Sequence, residues 1–158
     1  MDELYIAARG VLLDALEALG DHVGAAIVVG AQAVYLRVGD GDLTIAPYTT
    51  DADLALDPHL LEEIPPIEQA LLAAEFVPGA VGVWTTRRDT PSTRGVEVQV
   101  DLLVPRAVSP GKGRRAARLP GHEPKVARIV RGLEGTLVDV DTLVLEALER
   151  GDAEAATA

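Results

Sequence analysis

Residues 95–104, Gly-Val-Glu-Val-Gln-Val-Asp-Leu-Leu-Val, alternate apolar and polar side chains through Asp101. Only an extended strand sends successive side chains to opposite faces, so Val96, Val98, Val100 and Leu102 are committed to one face and Glu97, Gln99 and Asp101 to the other. Residues 49–57 repeat the pattern, with Asp51, Asp53, Ala55 and Asp57 facing away from Ala52, Leu54 and Leu56. Two strands of this kind require a sheet with one face on a core and one face wet and acidic. The core face in turn needs an apolar layer to cover it.

That cover is written in a second period. Residues 3–19 set Leu4, Ala8, Val11, Leu12, Ala15, Leu16 and Leu19 on one side of a 3.6-residue repeat, with Gly20 as a stop, which predicts an amphipathic helix. Residues 25–29, Ala-Ala-Ile-Val-Val, form a continuous apolar run ending in Gly30 and predict a central strand buried on both faces. Residues 31–38 have helical character and offer Ala33, Val34 and Tyr35 for packing, so the Gly30 turn falls at a helix N-terminus. Gly39 to Asp42 is a turn cluster and Pro47 ends a connecting loop. Pro66 suits the first turn of a helix running through Glu75 that buries Ile67, Leu71 and Leu72. Residues 81–88 and 95–104 form a hairpin across Asp89-Thr90-Pro91-Ser92. Residues 123–131 read as one basic helix or strand, and residues 133–138 and 142–148 as a further hairpin, the last segment alternatively a helix. The expectation is one α/β (α+β) domain over residues 1–149, a sheet flanked by helices, with a disordered Ala- and acid-rich tail at 150–158.

Composition narrows the chemistry. Hydrophobic residues make up 48% of the chain but aromatic ones only 3%, so Val, Leu, Ile and Ala must fill the core. No apolar run approaches the ~20 residues of a membrane span, and Met1-Asp2-Glu3 is acidic where a secretory signal is basic, which predicts a cytoplasmic protein. There is no cysteine, which excludes disulfides, thiolate zinc sites and a cysteine nucleophile. The three histidines are scattered and read as loop or cap residues, and Trp84 reads as strand packing. Hard, oxygen-ligated metals remain open.

The net charge of −11 disfavours non-specific binding to nucleic acid. It is unevenly spread. Between Arg87 and Arg131 lie 11 of the 14 Lys and Arg residues and four acids, a local charge of +7 that leaves −18 on the rest. This stretch is either a solvated face or a wall toward a polyanion such as a nucleotide or an RNA end.

The acids acquire meaning from their spacing. Asp51 and Asp53, two apart on a strand, project from one face about 6.5–7 Å apart. Two such carboxylates suit a pair of magnesium ions, and a two-metal site needs ions ~3.5–4 Å apart to stabilise both attacking and leaving oxygens of an in-line displacement. Asp101, on a neighbouring strand, completes a metal site or accepts the proton of an attacking hydroxyl. Gly30 lets the backbone N–H groups at the start of the next helix approach a triphosphate. Because phosphoryl transfer needs little covalent help, positioning and charge neutralisation are sufficient.

Three segments, Ile27-Val-Val-Gly-Ala31, Tyr48-Thr-Thr-Asp-Ala-Asp-Leu-Ala-Leu56 and Val98-Gln-Val-Asp-Leu-Leu103, together resemble the signature elements of the DNA polymerase β-type nucleotidyltransferases. Within that superfamily the Thr-Thr-Asp-x-Asp-Leu wording resembles the bacterial AbiEii/MenT-like toxin nucleotidyltransferases. The resemblance covers roughly residues 3–104. It implies a central mixed β-sheet, Mg2+, a nucleoside triphosphate donor, and transfer of a nucleotidyl group to an RNA end such as that of a tRNA, or to a protein hydroxyl. It also implies a toxin–antitoxin setting with a cognate antitoxin. On it, Asp51, Asp53 and Asp101 are the metal-holding catalytic carboxylates, and Gly30, Ala31, Thr50 and Lys125 are the contacts to the nucleotide. The chain departs from the pattern in three ways: Ala31 stands where Ser or Gly is usual, the interval from Gly30 to Asp51 is longer than usual, and Lys125 with Arg128 and Arg131 is the one substitute for a C-terminal Lys-bearing helix. A truncated or degenerate member is therefore expected. The alternatives are a catalytically silent binding module of the same fold, or an acidic protein that neutralises a basic partner.

Overall fold

A computed structural model describes residues 3–38, 49–111 and 113–148. The chain begins with helix α1 (Glu3–Leu19), whose bounds match the apolar repeat. Gly20, at φ +54°, turns the chain into a 3-10 segment at Gly20–Ala25. Strand β1 (Ala26–Val29), helix α2 (Gly30–Val38), strand β2 (Asp51–Leu56), helix α3 (Ile67–Ala73) and strands β3 (Val77–Pro78), β4 (Val83–Arg88), β5 (Val96–Pro105) and β6 (Arg128–Val130) follow. The turn cluster at 39–42, the loop through Pro47, and the tail at 150–158 lie outside the described residues.

The strands form one mixed sheet in the order β1-β2-β5-β4-β3. β1 and β2 are antiparallel, β2 and β5 parallel, and β4 is antiparallel to both β5 and β3. β6 runs parallel to the last residues of β5, Leu103 to Pro105, on the side that β4 has vacated. Gly82 makes this exchange possible. Its φ is +75°, its N–H donates to the Lys125 carbonyl, and a Cβ there would lie 2.6 Å from the Arg128 nitrogen and 2.7 Å from the Leu102 carbonyl oxygen.

One sheet face carries the main core. Ala52, Leu54 and Leu56 of β2, Val98, Val100, Leu102 and Val104 of β5, and Trp84 of β4 meet Ala8, Val11, Leu12, Ala15 and Leu19 of α1 and Ile67 and Leu71 of α3. Each fully buried Leu or Val contributes about 1.5–3 kcal/mol relative to exposure, so this layer fixes which face of β2 and β5 is left for chemistry. Trp84 is packed as expected, and its indole N–H donates to the Val126 carbonyl at 3.0 Å. No helix among the described residues is long and apolar enough to cross a membrane.

Four expectations are corrected. β1 is an edge strand that pairs, among the described residues, with β2 alone. A continuous apolar run says nothing of a strand's hydrogen-bonding edges, and here Ala26, Ile27 and Val28 are only partly buried, lining an open cavity of about 800 Å3 with residues between Gly135 and Leu145. Leu72 is 53% exposed because α3 ends at Ala73 and turns only Ile67 and Leu71, one turn apart, to the core. Glu75, at φ +65°, closes that helix, with Phe76 N–H donating to the Leu71 carbonyl at 2.9 Å. Val34 of α2 is likewise exposed, and the residue α2 buries is Gln32. The hairpin at 133–148 does not form. Glu134–Leu137 is a 3-10 turn, residues 141–148 have no regular structure, and Leu143 and Val144 stay exposed without a strand to pair with.

The basic segment at 123–131 resolves into the short strand β6. His122 caps α3: its Nδ1 accepts from the Ile67 N–H at 3.1 Å, leaving Nε2 to donate to the Glu62 carbonyl at 2.8 Å. His22 departs from a loop role, being fully buried with Nε2 at 2.7 Å from the Pro65 carbonyl.

Candidate functional site

The face of β2 and β5 opposite the main core holds the three acids. Asp53 and Asp101 are register partners on the parallel pair, and Asp51 stands opposite Gln99 two residues earlier. Register partners project to the same face with neighbouring strands about 4.8 Å apart, so Asp53 and Asp101 are side by side and Asp51 is one pleat along. This face is not uniformly wet. Ala55, expected on the exposed side, is fully buried with Val29 and Leu103 in a second, smaller apolar cluster that floors one end of the site.

Gly30 abuts Asp53. β1 delivers Val29 opposite Asp53, and Gly30 then opens α2 at φ +70°. A Cβ at Gly30 would overlap Oδ2 of Asp53 and lie 3.1 Å from its Cγ, so the absence of a side chain is what admits the carboxylate here. Gly30 and Ala31 are both exposed, which leaves the first turn of α2 open to solvent beside Asp53.

Each acid has a different environment. Asp101 is 7% exposed and doubly held: Oδ1 accepts from Gln99 Nε2 at 2.6 Å and Oδ2 from Arg128 Nη2 at 2.8 Å. Asp51 is exposed, and its Oδ1 accepts from the Thr49 hydroxyl. Asp53 lies between them with no ion pair among the described residues, and its pKa rises from 3.8 to about 6. Burial is the largest cause, followed by the negative charges of Asp51 and then Asp101, while Arg128 pulls the other way.

A buried relay holds the start of β2. Arg9 is 5% exposed in the apolar face of α1, where its Nη2 donates to the Tyr5 hydroxyl at 2.9 Å and its Nε to Gln32 Oε1 at 3.2 Å. Gln32 Nε2 then donates to the backbone carbonyl of Asp51 at 3.2 Å, so both helices bear on the position of this acid.

Of the expected nucleotide contacts, Gly30 stands against Asp53 and Ala31 follows it in α2. Thr50 is exposed just before β2, and its carbonyl accepts from the Gln99 N–H at 3.5 Å. Lys125 is exposed, and its backbone carbonyl serves Gly82. Of the basic residues near the C-terminal end it is Arg128 that reaches the carboxylates, because β6 aligns it with Leu103, two residues beyond Asp101 on the same face.

Arg9, Gln32 and Arg128 as a carboxylate partner are what sequence reasoning missed. Gln99 was legible, two residues before Asp101 in an alternating strand, and Arg9 carried a weaker signal as a cation in the apolar stripe between Tyr5 and Leu12. Arg128 was legible as a basic candidate on a helix or strand, but nothing local announces that its strand pairs in parallel with β5 and carries it to Asp101.

The donor set is all oxygen, and Asp53 has no ion-pair partner among the described residues, which together suit a hard divalent cation. In the present side-chain arrangement, no group of three or more His, Asp or Glu residues among those described is gathered tightly enough to hold a metal ion. Comparison with known protein families, with curated proteins and with solved structures finds no match.

Proposed function

We propose that this chain is a magnesium-dependent nucleotidyltransferase of the DNA polymerase β type, transferring a nucleotidyl group from a nucleoside triphosphate to an RNA end such as that of a tRNA, or to a protein hydroxyl. The observation that carries the proposal is the juxtaposition of Asp53 and Asp101 as register partners on parallel strands, with Asp51 on the same face and Gly30 against Asp53 at the N-terminus of α2. Magnesium would be held by Asp51, Asp53 and Asp101, and would supply charge neutralisation for the phosphate oxygens. The chain's own contribution is the first turn of α2, open to solvent at Gly30 and Ala31, whose backbone N–H groups suit an anionic phosphate. A cytoplasmic toxin paired with an antitoxin is the setting that the sequence resemblance adds.

One observation favours a second reading, a catalytically silent module. Both oxygens of Asp101 are engaged by Gln99 and Arg128, so that acid is already neutralised within the protein. Incubating the protein with labelled nucleoside triphosphates, magnesium and total tRNA separates the two. Label transfer that disappears in Asp51→Asn supports the enzyme. Binding of magnesium-nucleotide without transfer to any acceptor supports the silent module, and binding of neither leaves only the acidic interaction protein.

A further inference from the structure

A second feature lies away from the carboxylates. β5 and β6 are parallel, with Pro105 opposite Val130, so the residues that follow them, Arg106 and Arg131, leave two neighbouring strands side by side. The chain segment beyond β5 returns along the outer edge of β6, where the Ile129 N–H donates to the Arg115 carbonyl at 2.8 Å and Ala116 bridges Arg128. That return brings Arg114 to the same place. Arg106, Arg114 and Arg131 line one cavity of about 320 Å3, floored by Ile129.

Three guanidinium groups around one cavity repel one another. None of the three takes part in an ion pair or a side-chain hydrogen bond among the described residues. Glu134, the nearest acid along the chain, accepts from the Gly132 N–H at 2.9 Å beside Arg131 and forms an ion pair with none of the three. In a chain of net charge −11, cations left unpaired together are unexpected unless an anion completes them. Guanidinium forks match tetrahedral oxyanions through paired N–H···O bonds, and a cavity of this size admits a phosphate with part of whatever carries it.

We propose that Arg106, Arg114 and Arg131 form a binding site for a phosphate group at the C-terminal ends of β5 and β6. It is separate from the carboxylate site, since Arg106 lies five residues beyond Asp101 along the strand, roughly 16 Å, and it does not depend on the nucleotidyltransferase reading. The phosphate is either free, as a monoester or inorganic ion, or a phosphodiester of a nucleic acid.

The test is calorimetric titration of the whole chain at low ionic strength with two probes: inorganic phosphate, and a trinucleotide without terminal phosphates. The expected result is saturable one-to-one binding of at least one probe with Kd below about 1 mM, weakened at least about tenfold in Arg114→Gln/Arg131→Gln and unchanged in Arg94→Gln, an exposed arginine in the turn before β5. The tighter probe identifies the source. Absence of saturable binding by both probes, or binding that the double variant leaves intact, overturns the proposal. Because both arginines are exposed, the double variant is expected to unfold at the wild-type urea midpoint. If it does not, the single variants Arg114→Gln and Arg131→Gln are titrated in its place, and each must weaken binding.

Discussion

Replacing Asp53 by Asn should stabilise the protein above pH 6, because the native fold holds this carboxylate where its charge is unwelcome. Its pKa rises from 3.8 to about 6 through burial and the neighbouring charges of Asp51 and Asp101. The folded protein therefore binds a proton more tightly than the unfolded chain, and stability falls as pH rises from about 4 to about 6. Below that window both states are protonated and the penalty is absent; above it both are ionised and the penalty is complete. At ~1.4 kcal/mol per tenfold change in acidity, the difference corresponds to about 3 kcal/mol for a group wholly withdrawn from water. Asp53 is only half-buried, and solvent screening reduces this to about 1–2 kcal/mol. Asn is nearly isosteric, so the close packing against Gly30 is retained. Urea denaturation of wild type and Asp53→Asn at pH 4 and pH 8, in chelator to remove divalent cations, measures the effect. The variant should match wild type at pH 4 and exceed it by about 1–2 kcal/mol at pH 8. A variant equally or less stable at pH 8 would refute the reasoning, since Asp53 would then be compensated in a way that its surroundings do not reveal. A gain in stability on losing an acid is the usual sign of a residue kept for function.

Other perturbations probe the supports of the site. Gly30→Ala forces a side chain into left-handed backbone and against Asp53, with an expected loss of about 2 kcal/mol; an unchanged urea midpoint would show that the turn is not as tight as described. Arg128→Gln removes the half-buried pair with Asp101, lowering stability by about 1–2 kcal/mol while raising magnesium affinity, because Asp101 is released. Weaker magnesium binding in calorimetry would instead make Arg128 a support of the metal-holding geometry. Trp84→Phe leaves the buried Val126 carbonyl without its donor, an expected loss of about 1–2 kcal/mol in urea unfolding, and an unaltered midpoint would show that water takes the indole's place.

Particular elements show what was legible. α1 was readable to its last residue because its seven apolar positions, its period and its Gly20 stop are all local. So were the β4–β5 hairpin and the assignment of Asp51, Asp53 and Asp101 to polar strand faces. The same local logic failed for Ala55 and Val34. Ala55 shares the acid face yet is buried, because Val29 and Leu103 close over it from neighbouring strands. Val34 stays in solvent while Gln32 is buried, because α2 is oriented by a polar relay to Arg9 and Asp51 rather than by an apolar stripe.

By itself, then, the sequence determined which side of each strand an acid occupies, since that depends only on a period of two within a few residues. Tertiary structure alone decided which acids meet. Asp53 and Asp101 are neighbours because β2 and β5 pair in parallel across an intervening helix and hairpin, and Asp101 is neutralised because β6 brings Arg128 from 27 residues away. Strand order and register are settled by how crossovers and covering helices pack, a property of the whole chain that no local pattern encodes.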